Sequence, residues 1–102
     1  MACKVILSPR AIQDLGEIVR YISFDNPVAA ERLGYALIDS ALSLAEFPER
    51  GRMVPEFDDG FTRELIHPPY RIIYRADPIT GAVHISRFWH AARGSPPIIR
   101  SV

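Results

Sequence analysis

Two Xaa-Pro dipeptides, each followed by apolar residues at helical spacing, constrain the fold of this chain most. Ser8-Pro9 and Asn26-Pro27 each place a side chain that caps helices directly before a proline, which is favoured at the first helical position. The apolar residues that follow each dipeptide recur mainly three or four positions apart, as on one face of a helix. We therefore predict helices over 9–24 and 27–46, and the short link between them predicts an antiparallel hairpin.

The apolar stripes of the two helices also predict the core. The stripe of the first helix begins at Ile12, whereas Asp14 and Glu17 fall outside it. The side chains expected to pack on the rest of the protein are Leu15, Ile18, Ile22, Leu33, Leu37 and Leu44.

The hydrophobic period changes to two after residue 60, which is typical of strands. Three runs, 61–66, 70–76 and 82–90, are separated by short turns and predict an antiparallel meander. Strict alternation would place Val83, Ile85, Arg87 and Trp89 on one face of the last strand. A short apolar run over 4–7 predicts a further strand, and the proline-, glycine- and charge-rich stretch 48–60 predicts a loop.

This order of elements predicts an α+β fold with two layers. An N-terminal strand and an α-helical hairpin would pack on the antiparallel β-meander. The 102 residues suit a single domain over 1–102, with an irregular tail from about residue 91.

Cysteine content and hydropathy predict where the protein works. Cys3 is the single cysteine, so neither an intramolecular disulfide nor a cysteine zinc site is expected. The sequence contains no run of about 20 apolar residues, so no membrane span is expected either. We predict a cytoplasmic protein without a metal site.

Charge is balanced over the whole chain but not along it. Residues 1–60 carry six basic and ten acidic side chains, a net charge of −4, whereas residues 61–102 carry six arginines and two acids, a net charge of +4. Arginine favours bidentate contacts with carboxylates and phosphates, so the C-terminal part suggests an anionic partner. The overall net charge of zero argues against direct binding of nucleic acid.

Several segments, taken in order, resemble one family. They are an opening strand that runs into Ser8-Pro9-Arg10-Ala11, the segment 47–57, Arg63-Glu64-Leu65, the segment 70–75 and the segment 83–93. Together they resemble the RelE/ParE superfamily, the toxins of type II toxin–antitoxin systems, and look more like its ParE branch. The resemblance implies a toxin that inhibits DNA gyrase, needs no cofactor and forms a hetero-oligomer with its cognate antitoxin. That antitoxin would be ParD-like, with a ribbon-helix-helix DNA-binding N-terminus.

Two other functions stay open at this point. The chain could be a RelE-like ribosome-dependent mRNA endoribonuclease, with Glu64, Arg71, Arg87 and His90 as its catalytic set; otherwise no catalytic residue is assigned. It could also be a non-toxic co-regulator that binds the antitoxin.

Residues of the three late strands and the following turn are the candidates for contacts with the antitoxin or target. They are Arg63, Arg71, Tyr74, Arg75, Arg87, Trp89, His90 and Arg93, with Arg71, Arg75 and Arg87 as the chief anchors for an acidic antitoxin. Each has a structural alternative. Glu64 can pair across the sheet with Arg63 or Arg71, Trp89 can lie in the core, and His90 can cap the end of its strand.

Overall fold

Both predicted helices form at their capping signals. The computed structural model of the protein describes residues 3–94, and in it helix α1 spans Pro9–Ser23 and helix α2 spans Pro27–Leu42. The Ser8 side chain accepts a hydrogen bond from the Ala11 amide, and the Asn26 side chain accepts one from the Ala29 amide, both at 3.0 Å. A 3-10 turn over Ser43–Ala45 continues α2, so the second predicted helix is confirmed nearly to its end.

Five strands form one sheet, which confirms the α+β fold. The strands are β1 (Val5–Leu7), β2 (Arg52–Met53), β3 (Thr62–His67), β4 (Tyr70–Ala76) and β5 (Val83–His90). Their order in the sheet is β1-β5-β4-β3-β2, with β1 parallel to β5 and the other neighbours antiparallel. The helix hairpin covers one face of this sheet.

Two segments outside the predicted strands and helices are ordered. Strand β2 lies inside the stretch predicted to be a loop, because two residues are too few to show an alternating pattern. The predicted irregular tail begins with a 3-10 turn over Ala91–Arg93 instead, and the rest of that prediction falls outside the described residues.

A β-bulge in β5 breaks the predicted alternation of that strand. The pairing with β4 shifts by one residue beside Ile73, so that Ser86 is an extra residue. Val83 and Ile85 before the bulge and Phe88 after it all belong to the hydrophobic core. The prediction that the alternate residues from 83 to 89 share one face is therefore wrong, because an extra residue shifts the period by one.

The core lies between the hairpin and the sheet, and most of its predicted members are there. Leu37 and Leu44 are fully buried, and Leu15, Ile18 and Leu33 pack against them while partly buried. Ile22 is also partly buried. The start of the stripe on α1 differs from the prediction, since Ile12 is 57% exposed and the buried residues of that helix are Ala11 and Asp14.

Truncating a buried core side chain should lower stability strongly. We expect Leu37→Ala to lower the free energy of unfolding by about 2–5 kcal/mol, because it removes buried methyl groups and leaves a cavity. Denaturant unfolding measures this change. Leu42→Ala, at a side chain that is half exposed on the same helix, is the matched control. Equal midpoints for the two variants would contradict this core assignment.

Within residues 3–94, neither α1 nor α2 has the length and apolar character that a membrane-spanning helix requires.

Candidate binding site on the outer face of the sheet

The face of the sheet that points away from the helices carries several of the predicted site residues, among them Glu64, Arg71, Arg87 and Trp89. Cross-strand neighbours share a face, and the register places two rows of them here. Ile66, Arg71 and Trp89 form one row, and Arg52, Glu64, Ile73 and Arg87 form the next. We call these seven residues the outer face.

Glu64 is the buried centre of the outer face. Its side chain is fully buried, and each of its oxygens accepts a hydrogen bond from a guanidinium: Arg52 Nε donates at 2.6 Å, and Arg71 Nε donates to the other oxygen. A buried carboxylate needs such partners, because removing it from water is costly. The predicted pairing of Glu64 across the sheet with Arg71 is thus confirmed.

A second carboxylate holds the far edge of Arg71. Glu56, in the loop before β3, accepts from Arg71 Nη1 at 2.8 Å and from Nη2 at 3.1 Å, a bidentate pair. The hydrogen bonds from Arg71 to Glu56 and then Glu64 raise the pKa of the guanidinium, although burial opposes them. The Arg71 side chain is only 11% exposed.

Arg87 belongs to a different ion pair, at the edge of β5. It donates to both oxygens of Asp14 on α1, at 2.7 and 3.0 Å, and both side chains are buried. Asp14 also accepts from the Phe88 amide at 3.1 Å, while the Ser8 hydroxyl donates to the Ser86 carbonyl at 3.0 Å. Helix α1 therefore covers the stretch of the β5 edge that lies beyond β1.

Asp14 is the residue that sequence reasoning missed. It lies outside the apolar stripe of α1 and was therefore expected to face away from the core. Its one signal in the sequence is the acidic surplus of residues 1–60, because that surplus matches the arginines of the later strands. The sequence suggested Arg87 as an exposed anchor for an acidic antitoxin. This prediction does not fit the structure, because Arg87 is buried and paired with Asp14.

Arg63 and Tyr74 lie on the helix side of the sheet and hold the segment before β2. Burial raises the pKa of Tyr74, whose hydroxyl donates to the Pro48 carbonyl at 2.9 Å and accepts from the Gly51 amide at 2.8 Å. Arg63 donates to the Gly51 carbonyl at 2.7 Å. Tyr74 is fully buried, so a predicted contact role for it does not fit this structure.

Gly51 is a second residue that no sequence pattern singled out. A Cβ at Gly51 would lie 2.5 Å from the Glu64 carbonyl oxygen and 2.6 Å from the Tyr74 hydroxyl. Only glycine allows this close approach, which brings the segment against the sheet.

Three of the predicted arginines lie over aromatic rings, and one of them is Arg87, whose guanidinium is 5.0 Å from the centre of the Trp89 ring. The Arg75 guanidinium lies 4.3 Å from the centre of the Phe61 ring, and that of Arg93 lies 4.1 Å from the centre of the Trp89 ring. Trp89 is only 6% exposed, and its indole N–H donates to the Gly94 carbonyl at 2.9 Å. Trp89 is therefore mainly a structural residue, while Arg93 remains exposed above it.

His90 ends β5 on the helix side and caps the following turn. Its Nδ1 accepts a hydrogen bond from the Ala92 amide at 3.0 Å, so the neutral ring carries its proton on Nε2. The ring meets Tyr70 edge to face, with centroids 5.1 Å apart. With Arg93 and Tyr21, it lines a cleft of about 360 Å³ between α1 and β5.

The four candidate residues for RNA cleavage therefore do not form one site. Glu64 pairs with Arg71, Arg87 pairs with Asp14, and His90 lies on the opposite face. Both oxygens of Glu64 already accept from guanidinium groups, which disfavours its use as a general base. Among residues 3–94, no group of three or more potential metal ligands is present.

Comparison with known proteins gives the family. The sequence model of the ParE toxin of the type II toxin–antitoxin system parDE matches residues 5–94. The chain belongs to the ParE toxin family. This makes it a type II toxin of the RelE/ParE superfamily, as the resemblance implied.

Proteins similar to this ParE-family toxin carry both ParE and RelE names. It is 46% identical over 92 residues to toxin RelE2 of Caulobacter vibrioides, covering 88% of this chain and 97% of the relative. Identity to toxin RelE1 of the same organism is 38% over 95 residues, covering 88% and 95%.

The structural neighbours support the fold of the toxin. A chain of the chromosomal ParDE system from P. aeruginosa superposes with a TM-score of 0.73 at 16% identity, covering 87% of this chain and 96% of the other. A chain of the RelBE2 toxin–antitoxin complex from Mycobacterium tuberculosis gives 0.68 at 24% identity, covering 88% and 99%.

Proposed function

We propose that this toxin acts in the cytoplasm by binding DNA gyrase and trapping its complex with cleaved DNA. One observation carries the proposal: the side chains suggested for RNA cleavage are engaged in ion pairs within the fold or lie on opposite faces of the sheet. The match to the ParE family model supports the same choice.

Inhibition by binding needs contact surface rather than a catalytic set. The helix hairpin offers such surface, because several large apolar side chains stay exposed on it: Tyr21, Phe24, Val28 and Tyr35. Tyrosine and phenylalanine are enriched at protein interfaces, where their rings add apolar area at a low entropic cost.

The toxin is neutralised in this proposal by direct binding of a cognate antitoxin. The solved neighbours come from ParDE and RelBE systems, which supports such a partner. A ParD-like antitoxin with a ribbon-helix-helix DNA-binding N-terminus would form a hetero-oligomer with the toxin. A chain that kept this binding but had lost toxicity would be a non-toxic co-regulator.

Ribosome-dependent cleavage of mRNA is the second candidate function. The names of the two Caulobacter vibrioides relatives, RelE2 and RelE1, favour it. Cleavage by the set suggested from the sequence would require Glu64 to release at least one of its two guanidinium partners on the ribosome.

A paired assay with the purified toxin separates the two functions. We expect the toxin to inhibit supercoiling of relaxed plasmid by gyrase and to leave mRNA on translating ribosomes intact. Toxin incubated beforehand with its antitoxin is the control and should be inactive in both assays. Cleavage of mRNA that depends on the ribosome, with normal supercoiling, would contradict the proposal and favour the nuclease.

A further inference from the structure

Arg71 binds the carboxylate of Glu56 with the same geometry that an arginine uses to bind a carboxylate of a partner protein. Its Nε donates to the buried Glu64, while Nη1 and Nη2 donate in parallel to Glu56. Such a fork binds any carboxylate that presents two oxygens in the same plane. The outer edge of Arg71 is thus a carboxylate site that a side chain of the same chain occupies.

Glu56 belongs to the loop between β2 and β3 and not to a strand of the sheet. It lies on residues 54–61, which we call the strap, and its side chain is 31% exposed, whereas Glu64 is fully buried on β3. The strap is fastened at its ends, where the Val54 amide donates to the Thr62 carbonyl and Asp59 accepts from the Thr62 amide. The turn that carries Glu56 lies between these anchors.

If Glu56 left this site, the uncompensated positive charge of Arg71 would lie beside the apolar side chain of Ile66. Arg52 and Arg71 share the single charge of Glu64, so Glu56 balances the second guanidinium. Ile66 lies directly across from Arg71 on β3 and is 47% exposed. A peptide segment with an acidic side chain next to an apolar one fits this combination, whereas a phosphate would leave Ile66 uncovered.

We infer that Arg71 is an exchange site, at which an acidic side chain of the antitoxin replaces Glu56 when the complex forms. This rests on the antitoxin partnership of the proposed function and is independent of whether the target is gyrase or mRNA. Glu56 then acts as an internal competitor that lowers the affinity of the free toxin for its antitoxin.

Titration of the full-length toxin with its antitoxin tests the exchange. Glu56→Gln removes the competing charge, so we expect the variant to bind the antitoxin at least about fivefold more tightly than the wild type. Glu49→Gln, at an exposed position in the neighbouring loop, is the matched control and should bind as the wild type does. Equal affinities for the two variants would overturn the inference.

The same substitution in a toxin that lacks Arg71 shows whether Arg71 binds the acidic side chain of the antitoxin. Lysine keeps the charge but cannot form the fork, so in an Arg71→Lys background Glu56→Gln should change antitoxin affinity less than about twofold. A fivefold gain that persists in this background would overturn the inference.

A titration with inorganic phosphate at constant ionic strength tests whether Arg71 binds a phosphate instead of a carboxylate. Stronger stabilisation of E56Q than of E49Q by phosphate, without a gain in antitoxin affinity, would also overturn the inference. These titrations contain no gyrase and no ribosome, so they do not depend on the result of the paired activity assay.

Discussion

Replacing Asp14 by alanine should lower the free energy of unfolding of this toxin by about 3–5 kcal/mol. The change would leave the buried Arg87 guanidinium without its bidentate partner and the Phe88 amide without an acceptor. It would also weaken the attachment of α1 to the edge of β5, where the hydrogen bond from Ser8 to Ser86 would remain. Denaturant unfolding followed by circular dichroism measures the difference.

The matched control for Asp14 is one turn further along the same helix. Glu17 is exposed, so Glu17→Ala should change stability by less than about 0.5 kcal/mol. A double variant, Asp14→Leu with Arg87→Met, replaces the ion pair by apolar side chains and should recover much of the loss. If Asp14→Ala unfolded at the same denaturant concentration as Glu17→Ala, the pair would have no structural importance.

The second large effect is expected at Glu64. Glu64→Gln keeps the shape of the side chain but removes the charge that Arg71 and Arg52 share, so we expect a loss of about 2–4 kcal/mol. Glu31→Gln, on the exposed surface of α2, is the control. Thermal unfolding measures both changes.

The same Glu64 variant separates a structural from a catalytic role. A structural Glu64 predicts that toxicity falls only as far as the folded population falls. A catalytic Glu64 predicts an unchanged melting temperature together with loss of RNA cleavage, and that outcome would contradict the ion-pair account.

The charge asymmetry of the sequence has an explanation within the fold. Asp14 and Glu56, from the acidic part of the chain, pair with Arg87 and Arg71 from the basic part. A sequence shows how many charges each segment carries but not which of them meet. The surplus of arginine therefore suggested an anionic partner, whereas in the fold carboxylates of the same chain pair with Arg71 and Arg87.

Local signals predicted the helices, the late strands and the two-layer arrangement correctly. The capping pairs Ser8-Pro9 and Asn26-Pro27 begin the helices where expected, because capping depends on neighbouring residues alone. The bulge at Ser86 and the short strand β2 depend on pairing with distant strands, so no local pattern shows them. The burial of Asp14 has no local signal either, because its partner Arg87 lies 73 residues away in the sequence.

The site was predictable in composition but not in arrangement. Arg71 and Glu64 were both singled out, and their pairing across the sheet was one of the alternatives. Glu56 was not predicted to join them, because the loop that carries it gives no periodic signal that fixes its position.

Expression of the toxin in cells without its antitoxin distinguishes gyrase inhibition from mRNA cleavage, provided that plasmid supercoiling and mRNA integrity are followed in the same culture. We expect supercoiling to be lost, and DNA cleavage complexes to accumulate, before any site-specific cut appears in mRNA. Early mRNA cuts within translated codons, with supercoiling unchanged, would contradict this expectation.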